Sequence, residues 1–329
     1  MPNNLSFFAP GKLYLAGEYA VTQPSGLAII MPVKKGIKVT IESQKQSAIV
    51  NRQYPLESLV FNFIEEIKNP YLRLAIEIVR QLSISKGMTW KPFKLTIDST
   101  LVANHGKYGL GSSGAITVAV IGALLKFYRI ASTPLMLYQL AVIATIQNYP
   151  ETSFGDLACS SFNQPILYRK FSPKMATLLK TLHVDKLLNL PWEDLLIEPI
   201  YLKIKKPIVV YTGTSANSHD MVRKVQSFSN KNWVEKSNKL VKALTENHQV
   251  NIIEDLQDHL LALEKQSQAG MITENMKKIM QIAKDGGGFA KMSGAGGGDC
   301  MLVFITQSKQ AWFTKQMKSL NFIILSDII

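Results

Sequence analysis

Residues Lys107 to Gly114 read K-Y-G-L-G-S-S-G, and the run Ala115 to Leu125 behind them carries neither a charge nor a proline. A run of that kind predicts a helix, and a glycine-rich turn feeding straight into a helix leaves the first backbone N–H groups without intrahelical partners. Those donors, together with the partial positive charge of the aligned peptide dipoles, favour an anion. Glycines at 109, 111 and 114 let the backbone approach phosphate oxygens with no Cβ in the way. The segment predicts a phosphate site. Taken alone, it also reads as a Ser-capped helix after a flexible turn.

Two familiar phosphate patterns do not fit. Gly109, Gly111 and Gly114 satisfy G-x-G-x-x-G, but that fingerprint needs a strand directly before it and an acidic residue some 20 positions later. The nearest strand-like stretch ends at Asp98, and no Asp or Glu occurs between Gly114 and Glu151. The Walker pattern fails as well, since no Gly-Lys-Ser/Thr follows a glycine at the required distance. What remains is a phosphate loop of another kind, with Ser112 and Ser113 at the helix entrance.

Outward from this loop the chain alternates strands and helices without strict βαβ order, which predicts an α+β fold. A strand running into a loop is predicted over Ser6–Ala16, further strands over Leu27–Ile30, Ile37–Ser43 and Phe93–Asp98, and an amphipathic helix over Asn69–Leu82. The loop's helix runs to about Tyr128, and a second begins near Thr133 with Pro134 in its first turn. Periodicity weakens over Pro191–Ile200, and the domain boundary is placed there, giving domains 1–198 and 199–329. The second half reads as a strand from Leu202 to Tyr211 and helices over Ser218–Asn247 (with a break), Val250–Gln268 and Thr273–Lys284. Strand, glycine loop, strand, helix and a last strand follow.

With 329 residues, 47% of them hydrophobic and 19% charged, the chain has enough apolar surface for packed cores and more length than one core usually uses. No apolar stretch spans a bilayer, and the opening MPNNLSFFAPGKLY lacks the basic and apolar regions of a signal peptide. The expected location is the cytoplasm, with no membrane partner. Cys159 and Cys300, lacking C-x-x-C spacing, read as reduced, buried thiols. The five histidines include no H-x-x-x-H pair, so no zinc is expected. The net charge of +13 is spread over scattered lysines with no basic arm, which argues against nucleic acid and for a field that attracts small phosphorylated molecules.

Two further glycine-rich stretches sharpen the reading: P-G-K-L-Y-L-A-G-E-Y at Pro10 to Tyr19 and K-M-S-G-A-G-G-G-D-C at Lys291 to Cys300, each read as a loop after a short strand. Three such loops, one carrying Lys12 and another Ser112 and Ser113, could close around a triphosphate and an acceptor, as phosphoryl transfer requires. The third, alone, is equally readable as a tight connection between strands.

These stretches, in this order, together with G-D-L-A-C at Gly155 to Cys159, resemble the motifs of the GHMP kinase superfamily. Tyr19, where most members have His, resembles the phosphomevalonate kinase branch; a sibling kinase acting on an alcohol is the alternative, and a non-catalytic nucleotide- or RNA-binding module a more distant one. The resemblance implies a two-domain fold, a ribosomal-protein-like N-terminal domain and a ferredoxin-like C-terminal domain with the site between them, in a monomer or homodimer. It implies ATP over Lys107, Gly109, Leu110, Gly111, Ser112, Ser113 and Gly114, with Mg2+ held by Ser112 or Ser113. Lys12 is the candidate cation for the transferring group, and Asp156 the candidate base or orienting carboxylate. Candidates for the phosphorylated acceptor are Lys107, Tyr14, Tyr19, Ser153, Ser218, His219, Gly294, Ala295 and Gly296. Tyr14 and Tyr19 are equally readable as core aromatics.

Overall fold

The computed structural model describes residues 5–103, 106–215, 218–325 and 328–329. Its backbone is strand β2 (Leu27–Ser43), seventeen residues that pair antiparallel with β1 (Leu5–Ala16) along one edge. The other edge of β2 takes β8 (Ile166–Arg169) against its first half and β5 (Phe93–Ser99) against its second. Strands β3 (Ser47–Asn51), β4 (Leu59–Phe61) and β9 (Leu196–Pro199) complete a seven-stranded sheet in which β3 and β5 are parallel and the other pairs antiparallel. A two-residue ribbon, β6 (Val102–Ala103) and β7 (Gly106–Lys107), leads into the glycine loop.

Helices α1 (Pro70–Ser85), α2 (Ser112–Phe127), α3 (Pro134–Thr145) and α4 (Gly155–Phe162) cover this sheet. α2 is central: every residue from Gly114 to Leu125 is buried, because it packs on β1 and β2 and is flanked by the other three. That explains its lack of a polar stripe. Asn69 and Thr133 cap α1 and α3 by accepting backbone N–H bonds. Two short helices, α5 (Pro173–Leu178) and α6 (Val184–Asn189), precede β9.

After β9 the chain enters a second, four-stranded antiparallel sheet ordered β11-β12-β10-β13, from β10 (Ile208–Tyr211), β11 (Phe289–Ser293), β12 (Cys300–Phe304) and β13 (Ile323–Ile324). Its helices are α7 (Ser218–Val225), α8 (Lys231–Asn247), α9 (Val250–Ser267), α10 (Glu274–Asp285) and α11 (Gln310–Ser319). Alternation along its strands divides them between two cores. Val209, Tyr211, Leu302 and Phe304 face the large core shared with the first sheet, and Val210, Met301 and Val303 face a smaller one under α9, α10 and α11.

Several sequence expectations change. The two strands expected at Leu27–Ile30 and Ile37–Ser43 are one, since Pro32 and Gly36 lie within β2 where it pairs with the irregular part of β1. The strand expected from Leu202 begins only at Ile208. Pro10 to Ala16 is not a loop after a strand but the strand itself, with a register shift between Pro10 and Lys12. The expectation for Cys159 and Cys300 does not change: both are buried free thiols.

Candidate active site

Helix α2 opens at Ser112 with Gly111 in a left-handed conformation at its N-cap (φ 77°) and no side chain capping it. Ser112 and Ser113 are therefore first-turn residues rather than caps. The uncapped turn faces a cavity of about 530 Å3 between the two sheets, bordered by Lys12, Gly109, Ser112, Gly114, Asp156 and Ala295 among others. That volume lies within the usual range of ligand pockets, roughly 300–1,000 Å3.

Lys12 stays in register with Pro32 of β2, directly after the shift that leaves Gly11 unpaired in the ladder, and its side chain borders this cavity. Its backbone N–H donates to the Leu110 carbonyl at 2.8 Å and its Nζ to the Gly109 carbonyl at 3.1 Å, tying β1 to the glycine loop. Gly11 makes this approach possible, since a Cβ there would lie 2.6 Å from the Leu110 oxygen. Nζ also lies 5.3 Å from the Tyr14 ring centroid. Opposite it, Asp156 sits in the first turn of α4, and its Oδ1 accepts the Leu157 N–H at 3.0 Å. A Cβ on Gly114 would lie 2.5 Å from Asp156 Oδ2, so this glycine lets the carboxylate lie across the start of α2.

The wall formed by Ser153 and the third glycine loop is held by phenols. Tyr14 shares a hydrogen bond of 2.9 Å with Ser153 Oγ, and its backbone N–H donates to Ser293 Oγ at 2.9 Å. Tyr168 donates to the Ser153 carbonyl at 2.6 Å. Tyr19, in a left-handed conformation (φ 61°), donates from its hydroxyl to the Ala295 carbonyl. Burial pushes both Tyr14 and Tyr19 phenols well up, with Asp156 adding at Tyr14 and Glu264 at Tyr19. Both stay protonated and able to donate. Each is thus a core aromatic and a cavity residue at once, so the two sequence readings describe the same side chains.

The remaining candidates divide. Lys107, Gly109, Gly111, Ser112, Ser113, Gly114, Ser153, Gly294 and Ala295 border the cavity. Leu110 does not: its side chain is in the core and only its carbonyl serves the site, as the acceptor for Lys12. Gly296 turns away and packs on the Met271 carbonyl, against which a Cβ would lie at 2.4 Å. Ser218 and His219 begin α7, and their side chains lie outside what the structure describes.

Sequence reasoning missed several residues. Glu18 borders the cavity and is buried in an ion pair with Lys291 on β11. A lysine inside an otherwise apolar strand, F-A-K-M-S, was the available signal, because a buried ammonium requires an acid. The second oxygen of Glu18, Oε2, has no partner among the described residues. Tyr71 and Tyr149 stack at 5.2 Å on the cavity wall, and burial pushes the Tyr71 phenol up to about 12, partly offset by its bond to Ser113. No local pattern pairs residues that far apart. Among the described residues no group of His, Cys, Asp and Glu could hold a metal by itself.

The pattern of the GHMP kinases N terminal domain matches residues 70–164, and that of GHMP kinases C terminal matches residues 235–318. A phosphomevalonate kinase of Streptomyces sp. (strain CL190) is 27% identical over 350 residues, covering 93% of each chain. Among solved structures, a Listeria innocua protein superposes with a TM-score of 0.90 at 26% identity, covering 99% of this chain and 98% of that one. Streptococcus pneumoniae phosphomevalonate kinase in complex with phosphomevalonate and AMPPNP superposes with a TM-score of 0.88 at 25% identity, covering 98% of this chain and 99% of that one.

Proposed function

The chain belongs to the GHMP kinase family, and from that premise we propose that it transfers the γ-phosphoryl group of ATP to (R)-5-phosphomevalonate, giving 5-diphosphomevalonate and ADP. The observation that carries this reading is the convergence of Lys12, the uncapped start of α2, Asp156 and the loop Gly294–Ala295 on one cavity. Similarity along nearly the whole chain to phosphomevalonate kinases, one of them crystallised with phosphomevalonate and an ATP analogue, supports the choice of acceptor.

In this reading the N–H groups of the first turn of α2 hold the nucleotide's phosphates, and Lys12 bridges to the transferring group, offsetting the charge that builds on it. The acceptor's own phosphate has a second pKa near 6, so its attacking oxygen is already anionic at neutral pH and no base is needed. Asp156 then serves to orient Lys12 and the acceptor. Tyr14, Ser153, Tyr19 and the Ala295 segment form the acceptor wall, with Lys107 at the rim. The hydroxyls of Ser112 and Ser113 with the Asp156 carboxylate are a hard-oxygen set that fits Mg2+, which keeps most of its shell as water and phosphate oxygens. Bound there, it supplies neutralisation of phosphate charge. Residues 1–198 carry the nucleotide half and 199–329 complete the cleft.

A coupled ADP-release assay over mevalonate, 5-phosphomevalonate, galactose and homoserine tests the assignment. The expected result is turnover of 5-phosphomevalonate alone. Turnover of mevalonate but not its phosphate would move the chain to an alcohol kinase, and release of no ADP with any of the four would remove the kinase reading.

A further inference from the structure

Behind the cavity wall, outside the glycine motifs, an ammonium is held without an acid. Lys170 follows β8, and its Nζ donates to the Thr152 carbonyl at 2.6 Å and the Pro150 carbonyl at 3.4 Å. The same Nζ lies 4.8 Å from the Phe154 ring centroid and 5.7 Å from that of Phe171, and the two rings stack at 5.7 Å. None of the ion pairs among the described residues includes Lys170. Burial pushes its pKa down to about 8, with Lys180 adding to the effect. A cation in such a place is costly, and here carbonyl dipoles and ring faces are what offset the cost.

The segment it grips matters to the site. Thr152, Ser153 and Phe154 all border the cavity, and Ser153 holds the Tyr14 hydroxyl. Phe154 is in the left-handed region (φ 57°) and leads directly into α4 and Asp156. That conformation costs an aromatic residue on the order of 1 kcal/mol and persists only where the surroundings impose it. The Lys170 ammonium and the Phe171 ring both meet the Phe154 ring, and the same ammonium bonds the carbonyls of Thr152 and Pro150 just before it.

We propose that Lys170 is a positioning residue for the acceptor: its ammonium pins the strap from Pro150 to Phe154, fixing Ser153 and the start of α4 against the bound substrate. This rests on the kinase reading above and extends it to a residue that touches neither nucleotide nor acceptor. A lysine that only shields ring surface would affect folding and both substrates together.

The test is Lys170→Met, which keeps the stem and removes the charge, beside Lys170→Arg, which keeps the charge. Expected for Lys170→Met is a rise in acceptor KM of about tenfold, the scale of one lost charge-assisted hydrogen bond, with KM for ATP within about twofold and a melting temperature unchanged or higher, since a partly buried charge without an acid partner has been removed. Lys170→Arg retains an acceptor KM within about threefold of the parent, because a guanidinium can serve the same carbonyls and rings. In the protein without ligands, amide exchange over 150–156 accelerates in Lys170→Met while that over 112–127 does not. If acceptor KM and exchange over 150–156 both stay at parental values, or if both KM values and the melting temperature shift together, the proposal is wrong. Should the parent turn over none of the four acceptors, the functional reading fails, and the exchange arm still decides whether Lys170 holds the strap. If Lys170→Met does not fold, Lys170→Gln is put through the same exchange measurement.

Discussion

Lys12 on β1 and Lys291 on β11 reach towards the same junction between the two sheets, and the fold treats their charges in opposite ways. Lys291 is fully buried, bonded to the Glu18 carboxylate and to the Met292 carbonyl at 2.9 Å. Burial pushes its pKa down, against the pull of Glu18. Lys12 gives one hydrogen bond to a loop carbonyl and joins none of the ion pairs among the described residues. An ammonium has three donors. Lys291 gives one to Glu18 of the first motif and one to Met292 beside it in the third, whereas Lys12 gives one to Gly109 and, in the proposed function, turns the others to the transferring phosphoryl group. On that proposal one cation builds the cavity and the other equips it.

Breaking either side tests that division. Lys291→Met leaves Glu18 buried and unpaired, and loss of one partner of such a pair costs about 3–5 kcal/mol. Urea unfolding measures it, and adding Glu18→Leu should recover most of the loss, whereas an unaltered midpoint in the single variant would show that the pair does not join the motifs. Lys12→Ala should do the converse. It should lower kcat by about 10²–10³-fold, the scale of removing one preorganised charge-stabilising donor, while the urea midpoint stays near the parent's. A kcat within threefold of the parent would deny Lys12 its role.

Gly114→Ala sharpens the comparison at the first turn of α2. Its methyl would meet Asp156 Oδ2 at 2.5 Å, and overpacking of this kind costs about 1–3 kcal/mol. A weakened KM for ATP and for the acceptor together is the expected signature. Asp156→Asn, by contrast, should lower kcat less than about tenfold, because a phosphate acceptor has no proton to surrender. A far larger drop would point to an alcohol. The smallest effect concerns pH. Lys170, held near 8 in the fold and near 10.4 when unfolded, binds fewer protons folded than unfolded between those values. Stability from this site therefore rises with pH across that window, and the rise should vanish in Lys170→Met.

The glycine loop before α2, the uncharged run behind it and the third motif were legible because each is local: spacing, the absence of breakers, and glycines where a Cβ would collide. The order of elements in the second half was legible for the same reason. What sequence hid was pairing. β2 looked like two strands because Pro32 and Gly36 read as breaks, whereas β1 accommodates them with its own irregularity. The first motif looked like a loop because Pro10, Gly11 and Gly17 signal turns, yet pairing with β2 holds it extended as far as Ala16. Tyr71 meets Tyr149, and Glu18 meets Lys291, only once the sheets have formed. Leu110 and Gly296 stood within the right motifs, but a motif does not say which of its residues turn inward.

The proposed transfer requires a nucleotide tail lying between the start of α2 and Lys12 with the acceptor's phosphate beyond it. A crystal structure with Mg2+, AMPPNP and 5-phosphomevalonate tests it directly. The expected result is the γ-phosphoryl group within about 3 Å of Lys12 Nζ, hydrogen-bonded to it, with β-phosphate oxygens on the N–H groups of Ser112 to Gly114. Nucleotide bound with its phosphates away from α2, or Lys12 turned from them, would contradict it.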